Sequence, residues 1–188
     1  MKLGLAVVRA VVGLLMFGHG AQKLFGWFGG HGLHGTAGFF DQVGLKPGKR
    51  TALAAGAGEA GGGALLALGF LTPLASAAII GVMSQAIRTV HGPKGPWNQE
   101  GGWEYNAVLI AALTLLAEQG PGPASLDRAL GIERSGVAWG LGALALGTVA
   151  SFGAVELGRR SAPPAAVEAG AAGDSPFPDT AGDPVTNE

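Results

Sequence analysis

Long apolar runs separated by short polar or glycine-rich segments dominate most of the chain. Residues 3–25 form the first run, which as an α-helix is about 34 Å long and can cross the hydrocarbon core of a bilayer. Residues 51–71, 74–91, 103–117 and 136–157 form four more. The pattern predicts an all-α, polytopic membrane helix bundle with a four-helix core and a fifth transmembrane helix.

These runs divide the chain into three predicted parts. Residues 1–130 are expected to form the four-helix membrane domain, and residues 131–157 the additional transmembrane helix. From residue 158 to residue 188, Pro, Ala, Gly and Asp prevail without apolar periodicity, which is typical of a disordered tail.

The composition supports a membrane protein and excludes several kinds of chemistry. The chain is 48% hydrophobic and 13% charged, whereas soluble domains carry about 25% charged residues. It contains no cysteine, so disulfides, thiolate nucleophiles and cysteine-ligated clusters are excluded. The net charge of -1 gives no argument for nucleic acid as a partner. The expected partner is the lipid bilayer, with the chain crossing the cell membrane several times.

Two local patterns predict how the helices pack. Ala54, Gly58 and Gly62 recur at four-residue spacing, which predicts a face of small residues where a second helix approaches closely. Thr36 is a candidate helix cap before residues 37–43, whose two phenylalanines suggest a short amphipathic segment at the membrane interface.

Polar residues interrupt the first run. Arg9, His19 and Lys23 fall within about 80° of one another on a helical wheel and define one polar stripe, with Gln22 beside them. Such residues inside lipid cost free energy unless they face partners or water. Snorkelling to the membrane surface is an alternative explanation for Lys23 and Arg9.

The later runs also carry polar residues, mostly near one end. Gln85, Arg88 and His91 are three apart and lie on one side of a helix end. Glu104 stands near a helix start, where the helix dipole favours an anion. Glu59 lies deeper, and it is either a functional residue or half of a structural ion pair with a buried arginine.

Because successive transmembrane helices alternate in direction, these residues share one side of the membrane. We therefore predict a polar pocket on that side, roofed by residues 26–49 and 92–102. It would bind the head of an amphiphile, conduct protons, or satisfy its polar groups internally. No catalytic residue is assigned, and His31 with His34 supply too few ligands to predict a metal site. The predicted pocket consists of Arg9, His19, Gln22, Lys23, Glu59, Gln85, Arg88, His91 and Glu104.

Several short motifs follow one another along the chain. They are Arg9 with residues 13–20, residues 22–24, 26–30 and 35–40, Glu59 with residues 62–63, and residues 69–72 and 101–105. In their order and spacing, these motifs resemble those of the DoxX family of small bacterial membrane proteins. The resemblance implies a four-helix membrane bundle over about residues 5–130. It also implies a link to membrane redox or sulfur metabolism, since the family name comes from a subunit of a thiosulfate:quinone oxidoreductase.

Three functions remain open from the sequence. The first is a membrane subunit or anchor of a redox complex, in which a quinone is the cofactor and a membrane-associated oxidoreductase is the partner. The second is a non-catalytic module that binds or transports a lipid or small amphiphile. The third is a structural scaffold whose polar residues only lock the bundle. Whether the chain is an enzyme is left open.

Overall fold

A computed structural model describes residues 3–160, and in that range the regular elements are helices. A π-helical turn, Ile87–His91, follows α4, and short 3-10 turns occupy the loops. The all-α prediction is confirmed, while most of the predicted tail lies outside the described residues. The helices are α1 Leu3–Phe25, α2 Gly32–Gln42, α3 Gly48–Leu68, α4 Thr72–Ala86, α5 Glu104–Gln119, α6 Leu126–Ala129 and α7 Val137–Arg160.

Among residues 3–160, four helices are long and apolar enough to cross a membrane. They are α1, α3, α4 with the turns that extend it to Lys94, and α7. The predicted fourth span, α5, has only 16 residues, or about 24 Å, and is not among them. The predicted fifth span, α7, qualifies and packs along α4 and α5, so it is an integral part of the bundle.

Glycines allow α1 and α3 to pack backbone against backbone. A Cβ atom added at Gly63 of α3 would lie 2.6 Å from the carbonyl oxygen of Gly13 in α1. One added at Gly20 would lie 2.6 Å from the carbonyl oxygen of Gly56. Cβ atoms essentially never come within 3.0 Å of other heavy atoms, so a larger residue at either position would force the helices apart.

The predicted small-residue face is only partly correct. A Cβ atom added at Gly58 would lie 3.0 Å from the Val82 side chain, and one added at Gly62 would lie 3.0 Å from the Ile79 side chain. Both glycines therefore face α4. Ala54 is instead exposed. Each four-residue step rotates the position by about 40° around the helix, and two steps carry Ala54 out of the contact.

Helix α2 covers the bundle and does not rest its apolar face on lipid. Phe40 is buried in a cluster with Leu45, Ala52 and Ala55, whereas His34 and Gln42 are exposed on its outer side. The apolar side of this segment therefore packs on the protein, while its position relative to the membrane interface stays a prediction.

The start of α2 also differs from the prediction. The helix begins at Gly32, four residues before the predicted cap. The Thr36 hydroxyl therefore lies within the helix and donates to the carbonyl oxygen of Lys23 at 3.4 Å. Because this bond reaches α1, Thr36 helps to hold α2 over the end of α1.

Candidate functional site

A cavity of about 360 Å³ opens beneath α2, among α1, α3, α4 and α5. It contains five of the nine predicted pocket residues: His19, Lys23, Glu59, Gln85 and His91. The other lining residues were not predicted. They are Met16, Phe39, Phe40, Ala55, Val82, Met83, Ala86, Thr89, Val90, Asn98, Tyr105 and Asn106.

An ion pair joins two helices at the cavity wall. Lys23 Nζ donates a hydrogen bond to Glu59 Oε2 at 2.5 Å. The Glu59 side chain is 3% exposed and that of Lys23 is 27% exposed. The partner of Glu59 is therefore this lysine and not the arginine considered from the sequence. A buried carboxylate requires such a partner, and the lysine also keeps partial access to water.

Gln85 is the unsatisfied polar group of the site. Its side chain is buried and lines the cavity, yet its Nε2 finds no hydrogen-bond acceptor within the described part of the chain. An unpaired buried donor costs about 1–3 kcal/mol. An acceptor oxygen brought within hydrogen-bond distance of Nε2 would remove that cost.

Asn106 supplies a second amide nearby. Its Nδ2 donates to Met83 Sδ at 3.4 Å, and a thioether sulfur is a weak acceptor. Asn106 is buried and also lines the cavity. The cavity thus offers two amide donors, one unpaired and one weakly paired, against apolar walls.

His91 enters the cavity from the π-helical turn, a type of distortion that is frequent at functional sites. Its Nδ1 lies 2.6 Å from the carbonyl oxygen of Gly101. Because a carbonyl oxygen only accepts, Nδ1 carries the hydrogen in this contact, and a neutral ring keeps Nε2 as an acceptor. The contact also ties the roof loop to α4.

Arg9 does not belong to the cavity. Its guanidinium donates to the carbonyl oxygens of Pro121 and Ala124 in the loop before α6, and Asp127 attracts it electrostatically. The helical wheel shows the direction in which a side chain points but not its position along the helix axis. Arg9 and His19 are ten residues apart, which is about 15 Å along the helix, so they serve opposite ends.

Asp127 is a buried acid that the sequence analysis missed. Its carboxylate accepts hydrogen bonds from the backbone N–H groups of Leu71 and Thr72, at 2.7 and 3.1 Å, and from the Thr72 hydroxyl at 3.0 Å. It therefore caps the start of α4 from 55 residues away. The available signal was Arg9 itself, since buried charges are usually paired with a group of opposite charge.

Gln22 and Glu104 order loops outside the cavity. Gln22 Nε2 donates to the carbonyl oxygen of Phe28 at 3.2 Å, which holds the turn after α1. Glu104 Oε1 accepts from the backbone N–H of Asn98 at 2.8 Å, which holds the loop before α5. Both were predicted as pocket residues because of their position near a helix end, a position that suits loop contacts equally well.

Arg88 joins α4 to α7 instead of lining the cavity. Its guanidinium lies 3.7 Å from the centre of the Phe152 ring and donates to the carbonyl oxygen of Ser151 at 3.4 Å. The three-residue spacing that grouped it with Gln85 and His91 assumes α-helical pitch. The wider turn at Ile87–His91 breaks that assumption.

Residues 4–92 match the DoxX family model. This part of the chain is a DoxX domain. The resemblance drawn from the sequence is confirmed over these residues. With the four helices of residues 3–160 that are able to cross a membrane, it indicates a multi-pass membrane protein that contains a DoxX domain. The match ends before the motif at residues 101–105.

The DoxX domain supplies all five predicted residues that line the cavity, while Asn98 and α5 close it from outside the matched residues. Comparisons with curated proteins and with solved structures gave no match. Within residues 3–160, no three histidine, aspartate or glutamate side chains gather closely enough to hold a metal ion.

Proposed function

We propose that this DoxX-family protein is a subunit of a redox complex in the cell membrane and holds a neutral, carbonyl-bearing amphiphile, a quinone, in its cavity. The unpaired Nε2 of Gln85 carries the proposal, because a carbonyl oxygen is the acceptor that this donor lacks. The cavity volume of about 360 Å³ falls within the usual range of about 300–1,000 Å³ for small-molecule sites.

The cavity walls fit a quinone ring. Phe39, Phe40 and Met83 provide apolar surface around the ring, and Gln85 donates to one carbonyl oxygen. The Lys23–Glu59 pair places an ionisable couple at the same wall. A bound quinone supplies the electron and proton chemistry, whereas the chain positions it and holds a proton beside it. The electrons come from a membrane-associated oxidoreductase, the partner that the family resemblance implies.

We predict opposite effects of Gln85→Leu on binding and on stability. The variant should lose the co-purifying ligand, because the hydrogen bond to the carbonyl oxygen is gone. The free energy of unfolding of the ligand-free protein should rise by about 1–3 kcal/mol, because an unpaired buried amide has been removed. Mass spectrometry of extracts and denaturant titration in gentle detergent measure the two effects.

The exposed Gln42 of α2 provides the matched control, since Gln42→Leu changes the same side chain outside the cavity lining. This control should retain the ligand. Recovery of the same bulk lipid from wild type and Gln85→Leu would contradict the proposal and favour a scaffold.

A second function, binding of a lipid or small amphiphile without redox chemistry, is favoured by one observation. Lys23 and Glu59 pair with each other at 2.5 Å, so neither residue has to exchange a proton with the ligand. A pull-down with intact membranes separates the two functions. A quinone recovered together with an oxidoreductase supports the first, and a lipid recovered without a protein partner supports the second.

A further inference from the structure

Three aromatic residues form an exposed cluster where α1 ends. Phe25, Trp27 and Phe28 are 59%, 53% and 72% exposed. The ring of Phe25 lies 5.1 Å from that of Trp27, and the Trp27 ring meets the Phe28 ring edge-on at 6.3 Å. We refer to residues 25–28 as the aromatic turn.

The aromatic turn is held in one conformation. Phe28 has φ 51° and ψ 36°, in the left-handed region that bulky residues avoid. Gln22 Nε2 bonds to the Phe28 carbonyl oxygen at 3.2 Å, and the N–H of Gly30 bonds to the Trp27 carbonyl oxygen at 3.0 Å. Two hydrogen bonds therefore maintain a strained turn that leaves three large apolar side chains exposed.

The aromatic turn continues the lipid-facing side of α1. Leu3, Val7, Leu14 and Phe25 lie within about 40° of one another on the helical wheel, and all four are exposed on a helix that can cross the membrane. Since Trp27 packs on Phe25, the turn lies on the same side. The neighbouring α2 turns its apolar residues inward instead.

We propose that the aromatic turn inserts into the boundary between the headgroups and the acyl chains of the bilayer and fixes the depth of the end of α1. Aromatic residues, above all Trp, concentrate at that level of the membrane. Lys23 lies two residues before Phe25, so the same anchor sets the depth of the Lys23–Glu59 pair. The proposal does not depend on which ligand occupies the cavity.

Fluorescence quenching of Trp27 tests the insertion directly. The full chain with Trp97→Phe, Trp103→Phe and Trp139→Phe is placed in phosphatidylcholine vesicles. Two vesicle preparations are compared: one carries bromine atoms on the acyl chains near the glycerol (shallow), and the other carries them near the chain ends (deep). We expect several-fold stronger quenching by the shallow bromine than by the deep bromine or by aqueous iodide. Strong iodide quenching without bromine quenching would place the turn in water and overturn the proposal.

A matched pair of variants tests the role of Gln22. In the single-Trp chain, Gln22→Leu removes the donor to Phe28, so the fluorescence anisotropy of Trp27 and its quenching by shallow bromine should both fall. Gln42→Leu, on α2, should change neither. Equal signals from the two variants would show that Gln22 does not hold the turn.

Photo-crosslinking provides a second test in the chain with all four tryptophans. A benzophenone side chain in place of Phe28 should form adducts with phospholipid in native membranes. Adducts with a second copy of the chain or with another protein, in the absence of lipid adducts, would assign the turn to a protein interface and overturn the proposal.

Discussion

Asp127→Asn should lower the free energy of unfolding by about 1–3 kcal/mol, the usual cost of leaving a buried donor without its acceptor. The substitution leaves Arg9 charged and buried without its acidic neighbour. It also replaces a carboxylate oxygen that accepts from Thr72, and the amide nitrogen of asparagine cannot accept. Denaturant titration of the purified protein in detergent measures the loss.

The same short helix, α6, contains a matched control. Arg128 forms an exposed ion pair with Glu133 at 3.6 Å, and Arg128→Ala should cost no more than about 1 kcal/mol. If Asp127→Asn and Arg128→Ala lowered the free energy of unfolding by equally small amounts, the role given to Asp127 would be wrong.

Gly63→Ala should destabilise the bundle by about 3 kcal/mol or more, at the top of the range for overpacked cores. The added methyl group meets backbone atoms of Gly13 and Phe17, which cannot rotate away as a side chain can. Helices α1 and α3 must therefore separate, and the Lys23–Glu59 pair joins the same two helices. The yield of monodisperse protein and its thermal midpoint measure the effect.

Gly61→Ala is the control for this substitution on the same helix. An added Cβ at Gly61 has open space around it, with no other heavy atom within 4 Å. The variant should behave like wild type or be slightly more stable, because alanine favours helix more than glycine does. Similar losses at both positions would show that the helix contact is not the cause.

The sequence predicted α1 to the residue because its apolar run ends at a glycine-rich turn. It also predicted that residues from several helix ends meet, because the direction of successive helices alternates. It did not predict Tyr105 and Asn106 in the cavity, since nothing in their local pattern distinguishes them from ordinary helix residues. Their role follows from the packing of α5 against α4, which is a property of the tertiary fold.

The contacts of Arg9 show a second limit of the sequence. Its bonds reach residues more than 110 positions away, and no local spacing connects a first-helix arginine to a loop before α6. The sequence predicted that an arginine in lipid needs a partner. Choosing among the acids required knowledge of which loop folds back onto that end of the bundle.

The short α5 has a consequence for the surrounding membrane. Val108 and Leu115 are exposed on it, yet its length of about 24 Å falls about 6 Å short of a typical hydrocarbon core. A hydrophobic helix shorter than the hydrocarbon core is accommodated by thinning of the bilayer, by snorkelling of flanking residues or by oligomerisation. The side of the bundle formed by α5 is therefore where the length of this protein matches the thickness of a typical bilayer least well.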